Sequence, residues 1–225
     1  MESSIHQQLK NRFGQESGGQ SEVWVDGYRI DAIDPSGILI EVQAAPLSAL
    51  RRKLAFLLKE HVIRVIKPIA IGRWITRREK LKGPDLPTRR SPYRGELRDA
   101  FDDLVGIAKI FPHPNLTVEL LGVHVEEIRL THKRKRRDRV VDRRLLDVVS
   151  STPLRVADDL WQLLPEPFET PFTTLDCAHA LGRPVAFAQR VAYCLRMAGA
   201  IESVGFRQRR RVYGRRSELP NRSVA

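Results

Sequence analysis

Two acids, Asp31 and Glu41, with Gln43 just beyond the second, are the side chains whose types and spacing could do chemistry. They lie in the run VWVDGYRIDAIDPSGILIEVQ over residues 23–43, where two alternating apolar and polar stretches flank Asp34-Pro35-Ser36-Gly37. Alternation broken by such a cluster predicts a β-hairpin, and this order of Asp, Pro and Gly suits a type I turn whose last residue goes left-handed. The turn sets a register in which Ile33 faces Leu39, Asp31 faces Glu41 and Arg29 faces Gln43. Tyr28, Ile30, Ala32, Ile40 and Val42 then share an apolar face suited to a core, and the acids share the other. Facing β-carbons are about 5 Å apart, so two acids there repel unless something offsets their charge. A divalent cation would. Converging hard oxygens suit Mg²⁺ or Mn²⁺, held by one or two carboxylates with waters and phosphate oxygens.

Asp31, then nine residues, then Glu41-Val42-Gln43 resembles the motif of the PD-(D/E)XK nuclease superfamily, the fold of restriction endonucleases and Holliday-junction resolvases. The resemblance covers about the first third of the chain and its motif is short. It implies a restriction-endonuclease-like αβ core with a central mixed sheet, and a Mg²⁺ (or Mn²⁺) ion held by Asp31, Glu41 and the carbonyl of Val42. Gln43 stands where the family usually has Lys; an amide can orient a water but brings no charge. Lys53, or Arg52 beside it, is the candidate to bring that charge from the following helix. The superfamily's first helix often offers a further acid, for which Glu2 is the candidate, with Glu16 and Glu22 behind it. The plain alternative is a solvated hairpin face, with Glu2 complementing a helix dipole.

The elements that must position these residues can be read from periodicity. Ile5, Leu9 and Phe13 predict a short amphipathic helix over 2–13; Leu47, Leu50, Leu54, Leu57 and Leu58 predict another over 47–60. The β-branched run 61–75 predicts a buried strand followed by an edge strand or bend at Pro68. Residues 76–94 are basic and Pro/Gly-rich and read as a loop, with Arg89 and Arg90 placed to neutralise phosphates and Tyr93 to stack. A helix over 95–111 and one or two strands over 116–131 follow. The cationic run 133–137 is a candidate phosphate contact. Residues 142–149 read as the start of a helix leading away, so the expected division is 1–140 and 141–225. A further helix is expected over 152–164.

The remainder resembles a winged helix-turn-helix domain: a short helix ending at Leu181-Gly182, a second from Pro184 to Ala198 capped by Gly199, and a hairpin wing with its tip over 205–210. That resemblance implies DNA contacts from Arg183, Gln189 and Arg190 on the second helix and from Arg207, Arg209 and Arg210 on the wing.

Composition agrees with an anionic partner: net charge is +12 over 225 residues, which favours nucleic acid. Two cysteines, Cys177 and Cys194, exclude a disulfide scaffold or a cysteine-based zinc site, and His113, His124 and His132 lack metal-ligand spacing. No apolar run is long enough to span a membrane, so the expected setting is the cytoplasm. The reading is a metal-dependent nuclease hydrolysing DNA phosphodiester bonds, its substrate positioned by the winged helix. Open beside it stand a catalytically inactive nuclease-like DNA-binding regulator and an RNA-processing factor. DNA is the expected partner with RNA kept open, and so is a homodimer.

Overall fold

The computed structural model describes residues 3–131 and 138–216. The first helix, α1 (Ser4–Phe13), buries Ile5 and Leu9 and stops at Gly14, where a β-carbon would stand 2.8 Å from that of Ala32. The expected single stretch over 23–33 is two strands, β1 (Gln20–Val25) and β2 (Tyr28–Ile33). Asp26-Gly27 turns the chain between them with φ of 47° and 79°. Positive φ at both central residues is what a tight hairpin turn demands, and Asp-Gly is among the strongest short signals for it.

The Asp34 turn behaves locally as its sequence dictates. The Asp34 carboxylate accepts from the Ser36 N–H, the Ser36 hydroxyl and the Ile38 N–H, and Gly37 takes a φ of 86°. The following strand, β3 (Leu39–Val42), pairs with β2 through Ala32↔Ile40 and Ile33↔Leu39, the register implied by the turn. After a 3₁₀ turn, α2 (Arg51–Leu57) leads into β4 (Ile63–Arg78), parallel to β3. No bend occurs at Pro68. The last β3 pairing is Val42↔Ile66, so Pro68 lies where β4 has outrun that neighbour and its missing N–H breaks no bond there.

The expected loop over 76–94 is strand at both ends and irregular only over 79–88: β4 runs to Arg78, and β5 (Arg89–Arg94) pairs with it antiparallel. Next come α3 (Phe101–Leu104), flanked by 3₁₀ turns, and one long strand, β6 (Leu116–Leu130), parallel to β4. Residues 142–149 are not helical. They belong to β7 (Arg139–Leu154), antiparallel to β6, so the division expected at 140/141 falls within a strand. The β6–β7 ladder shifts register at three places, each shift resetting which face a side chain takes, and this erases the alternation that identifies a strand. The helix expected over 152–164 reduces to a 3₁₀ stretch over Ala157–Leu163.

The result is a mixed α/β protein with a seven-stranded mixed sheet in the order β1-β2-β3-β4-β6-β7, with β5 on β4. A three-stranded sheet follows from β8 (Phe172–Thr173), β9 (Ile201–Arg207) and β10 (Arg210–Arg215), beside α4 (Thr174–Leu181) and α5 (Val185–Ala198). Two cores cover the large sheet. Ile5 and Leu9 of α1 pack with Ala32, Ile40, Val42 and Ile66 on one face. Leu54 and Leu57 of α2 pack with Ile30, Leu39, Ile63 and Val65 on the other, in a cluster that continues unbroken into Leu181, Val191 and Leu195. Ile30 thus leaves the face expected for it alongside Ala32. Among the described residues no helix is long and apolar enough to cross a membrane.

Candidate functional site

The β2–β3 ladder records no pair beyond Ala32↔Ile40, and the two acids sit at this parting. There a side chain stands in for the main chain: Oδ2 of Asp31 accepts the Val42 N–H at 2.8 Å, and its Oδ1 lies 3.3 Å from His6 Nε2. Glu41 is met instead by Lys53 of α2, whose ammonium donates to Glu41 Oε1 and to the Arg29 carbonyl. The acids therefore do not simply share one solvent face. One is approached from the α1 layer and the other from the α2 layer, because β3 is covered on both sides and only its parting from β2 gives polar side chains room.

The two carboxylates nevertheless feel each other. Burial pushes the Glu41 carboxyl above its ordinary value and Asp31 adds to the rise, while Lys53 opposes it without cancelling it. Burial also acts upward on Asp31, but hydrogen bonds from His6 and the Val42 N–H, with the charge of His6 and Lys10, hold its carboxyl below the usual range. The side chains of Asp31 and Lys53 are 19% and 15% exposed and Glu41 only 7%, so the cluster reaches solvent through Asp31 and Lys53 more than through Glu41.

Gln43 has its side-chain amide on the Pro46 carbonyl at 3.0 Å and its own N–H on the Ile66 carbonyl. The loop it begins is pinned by Lys67, a buried cation on β4 that donates to the Ala45 carbonyl and pairs with Asp103, each at 2.9 Å. Val42 contributes its N–H to the cluster. Glu2 lies outside the described residues, as do His132 and the run 133–137. Glu16 is exposed, and Glu22 pairs with Lys10 and Arg29 at 2.6 Å each. Among the described residues no group of three or more His, Cys, Asp or Glu converges as a metal site; the oxygen donors here are two carboxylates. Both thiols are buried, their pKa pushed up to about 12, which leaves them inert.

The expected nucleic-acid contacts fall into two groups. Arg183 pairs with Asp99 at 2.8 Å, and Arg190 pairs with Asp102 at 2.6 Å, so these two cations fasten α5 to the segment around α3. Arg207 lies 3.5 Å from Asp176 and donates to the Pro171 carbonyl. Gln189, Arg209 and Arg210 are exposed, the latter two at a hairpin tip where Gln208 and Arg209 both take positive φ. Phe206, 71% exposed, stands beside them under Arg211. Arg89 and Arg90 are exposed on β5 with Arg90 over Trp74, whereas Tyr93, expected to stack on bases, lies under Arg73 at 4.0 Å.

Sequence reasoning missed His6, Lys67 and a second acid centre, Glu127. Glu127 is 1% exposed and gathers Arg73, Arg129 and Arg143. A cation inside the apolar run of β4 was the available signal for Lys67, since lysine is rarely buried unpaired. His6 and Glu127 depend on partners far off in the chain, and no local spacing announces them.

Residues 3–155 match the profile of a family described as "Domain of unknown function (DUF8091)". A protein of Treponema pallidum (strain Nichols), described as "Uncharacterized protein", is 30% identical over 175 residues, 74% of this chain and 69% of its own length. No solved structure matches the chain.

Proposed function

The chain belongs to the DUF8091 family, and from its site we propose a metal-dependent nuclease of the PD-(D/E)XK kind that hydrolyses phosphodiester bonds in DNA. The observation that carries this reading is the ammonium of Lys53 on Glu41, a cation brought from α2 to the acids where Gln43 brings none. The order strand, strand, helix, strand in β2, β3, α2 and β4, following α1 and β1, supports it, being the order that the superfamily uses. So does the coupling of Asp31 to Glu41, since magnesium needs only one or two carboxylates alongside waters and phosphate oxygens.

In this reading Asp31 and Glu41 hold the ion, which when bound lowers the pKa of a water and stabilises charge on the phosphate. Lys53 keeps Glu41 ionised against its burial and leaves positive charge near the phosphate. His6 fixes the Asp31 carboxylate, and Lys67 holds the Gln43–Pro46 loop. We read the C-terminal unit as a winged helix-turn-helix whose Gln189, Arg209 and Arg210 meet the nucleic acid, with Arg183 and Arg190 acting as fasteners to the first unit.

The test is cleavage of single-stranded, duplex and branched DNA, and of RNA, in Mg²⁺, Mn²⁺ or EDTA. Divalent-dependent cleavage that Glu41→Gln and Lys53→Met abolish while binding persists is the expected result. Binding without cleavage in either metal would instead establish a nuclease-like regulator. Two observations favour that second reading: Asp31 Oδ2 is engaged by the Val42 N–H, and the Gln43 amide is engaged by Pro46.

A further inference from the structure

Past the end of β3, strands β4, β6 and β7 run on beside α1 and line a cavity of about 390 Å³. Its apolar wall includes Ile5, Ala44, Ala70 and Val123, and its polar side carries Arg73 and Arg143. Ile5 precedes His6 and Ala44 follows Gln43 in the chain, so the cavity and the candidate site draw on the same two segments. Asp142 lines it too, with its oxygens engaged by the Ser4 N–H at 2.9 Å, the Ser4 hydroxyl at 2.5 Å and the Arg143 N–H at 2.8 Å.

Charge around this cavity does not balance. Arg73, Arg129 and Arg143 converge on Glu127, and Asp142 is a second carboxylate on the cavity side, so three guanidiniums against two carboxylates leave a surplus of one positive charge. Arg73 is held against the face of Tyr93, and its Nε is buried at ion-pair distance from Glu127, 3.3 Å, without hydrogen-bond geometry. Guanidiniums fixed in place beside an apolar wall match a ligand with a flat apolar part and a phosphate. The volume admits one such unit and no duplex.

We propose that this cavity binds a single nucleotide, its base against Ile5, Ala44, Ala70 and Val123 and its phosphate on Arg73 and Arg143. The proposal deepens the nuclease reading, placing one unit of the strand beside the acids, but its test needs neither metal nor turnover. Calorimetric titration in EDTA at low salt compares deoxyadenosine monophosphate, deoxyadenosine and inorganic phosphate. The monophosphate should bind, and each of the other two at least about tenfold more weakly. Arg143→Gln, at an exposed position, should weaken monophosphate binding about tenfold, and Ala44→Leu should abolish it by filling the cavity. Phosphate or nucleoside binding as well as the monophosphate, wild-type binding by both Arg143→Gln and Ala44→Leu, or no monophosphate binding at millimolar concentration would each overturn the assignment. Monophosphate binding by a protein that cleaves nothing would sink the nuclease reading and leave this one standing.

Discussion

Glu41 and Glu127 are the same residue type, both nearly sealed inside the large sheet, yet their carboxyls are displaced in opposite directions. Burial wins at Glu41, where one ammonium opposes it and Asp31 reinforces it. At Glu127 burial also acts upward, but Arg129, Arg73 and Arg143 together outweigh it and hold the carboxyl below its ordinary value. The number of cations gathered around a buried acid thus separates an anchor from a poised group. Glu127 ties β4, β6 and β7 together; Glu41 has one ammonium against its burial.

The comparison breaks most readily at Glu41. Glu41→Gln should lower metal-dependent cleavage by about 100-fold or more while shifting the melting temperature little, because the lost charge was already disfavoured by burial. Equal cleavage by the variant would remove Glu41 from the chemistry. Glu127→Gln should do the reverse. With three guanidiniums left around a neutral amide, the fold should lose about 3 kcal/mol, read in a thermal melt as a fall of roughly 6–12 °C.

Acid titration sharpens the contrast through its sign. Because the folded value of Glu127 is depressed, its stabilisation is full above the ordinary carboxylate range and is lost as pH falls through the folded value. Because that of Glu41 is raised, the ionised form costs stability at high pH, and that cost begins to fall as pH drops through the folded value and is gone below the ordinary carboxylate value. Urea midpoints measured from neutral to acid pH should therefore show Glu127→Gln blunting the acid loss. The smallest effect belongs to Arg190, whose pair with Asp102 is half exposed: Arg190→Gln should cost roughly 0.2–1 kcal/mol in the same melts.

What the sequence disclosed follows the range of the forces involved. The Asp34 turn and the β2–β3 register are local and were legible, and so were the helical positions of α4 and α5, with Gly182 and Gly199 at φ of 58° and 81° closing them. The Asp26-Gly27 turn was equally local but lay inside a run whose alternation continues across it. Strand β7 was illegible because register shifts scramble its period, and Arg89 and Arg90 were illegible as a strand because β5 owes its form to the overhang of β4. At the site, Asp31 and Glu41 stand in a short motif and Lys53 on the helix after it, whereas His6, Lys67 and the three arginines on Glu127 are assembled by contacts that span the chain.

The apolar cluster that runs without a gap from Leu54 and Leu57 to Val191 and Leu195 makes the two halves of this chain thermodynamically one. Severing it near residue 156 would leave greasy surfaces on both pieces, so protease should release no stable C-terminal fragment and heating should show a single cooperative transition. The hairpin of β9 and β10 is consequently held at a set offset from Asp31 and Glu41, as on a ruler and not on a tether.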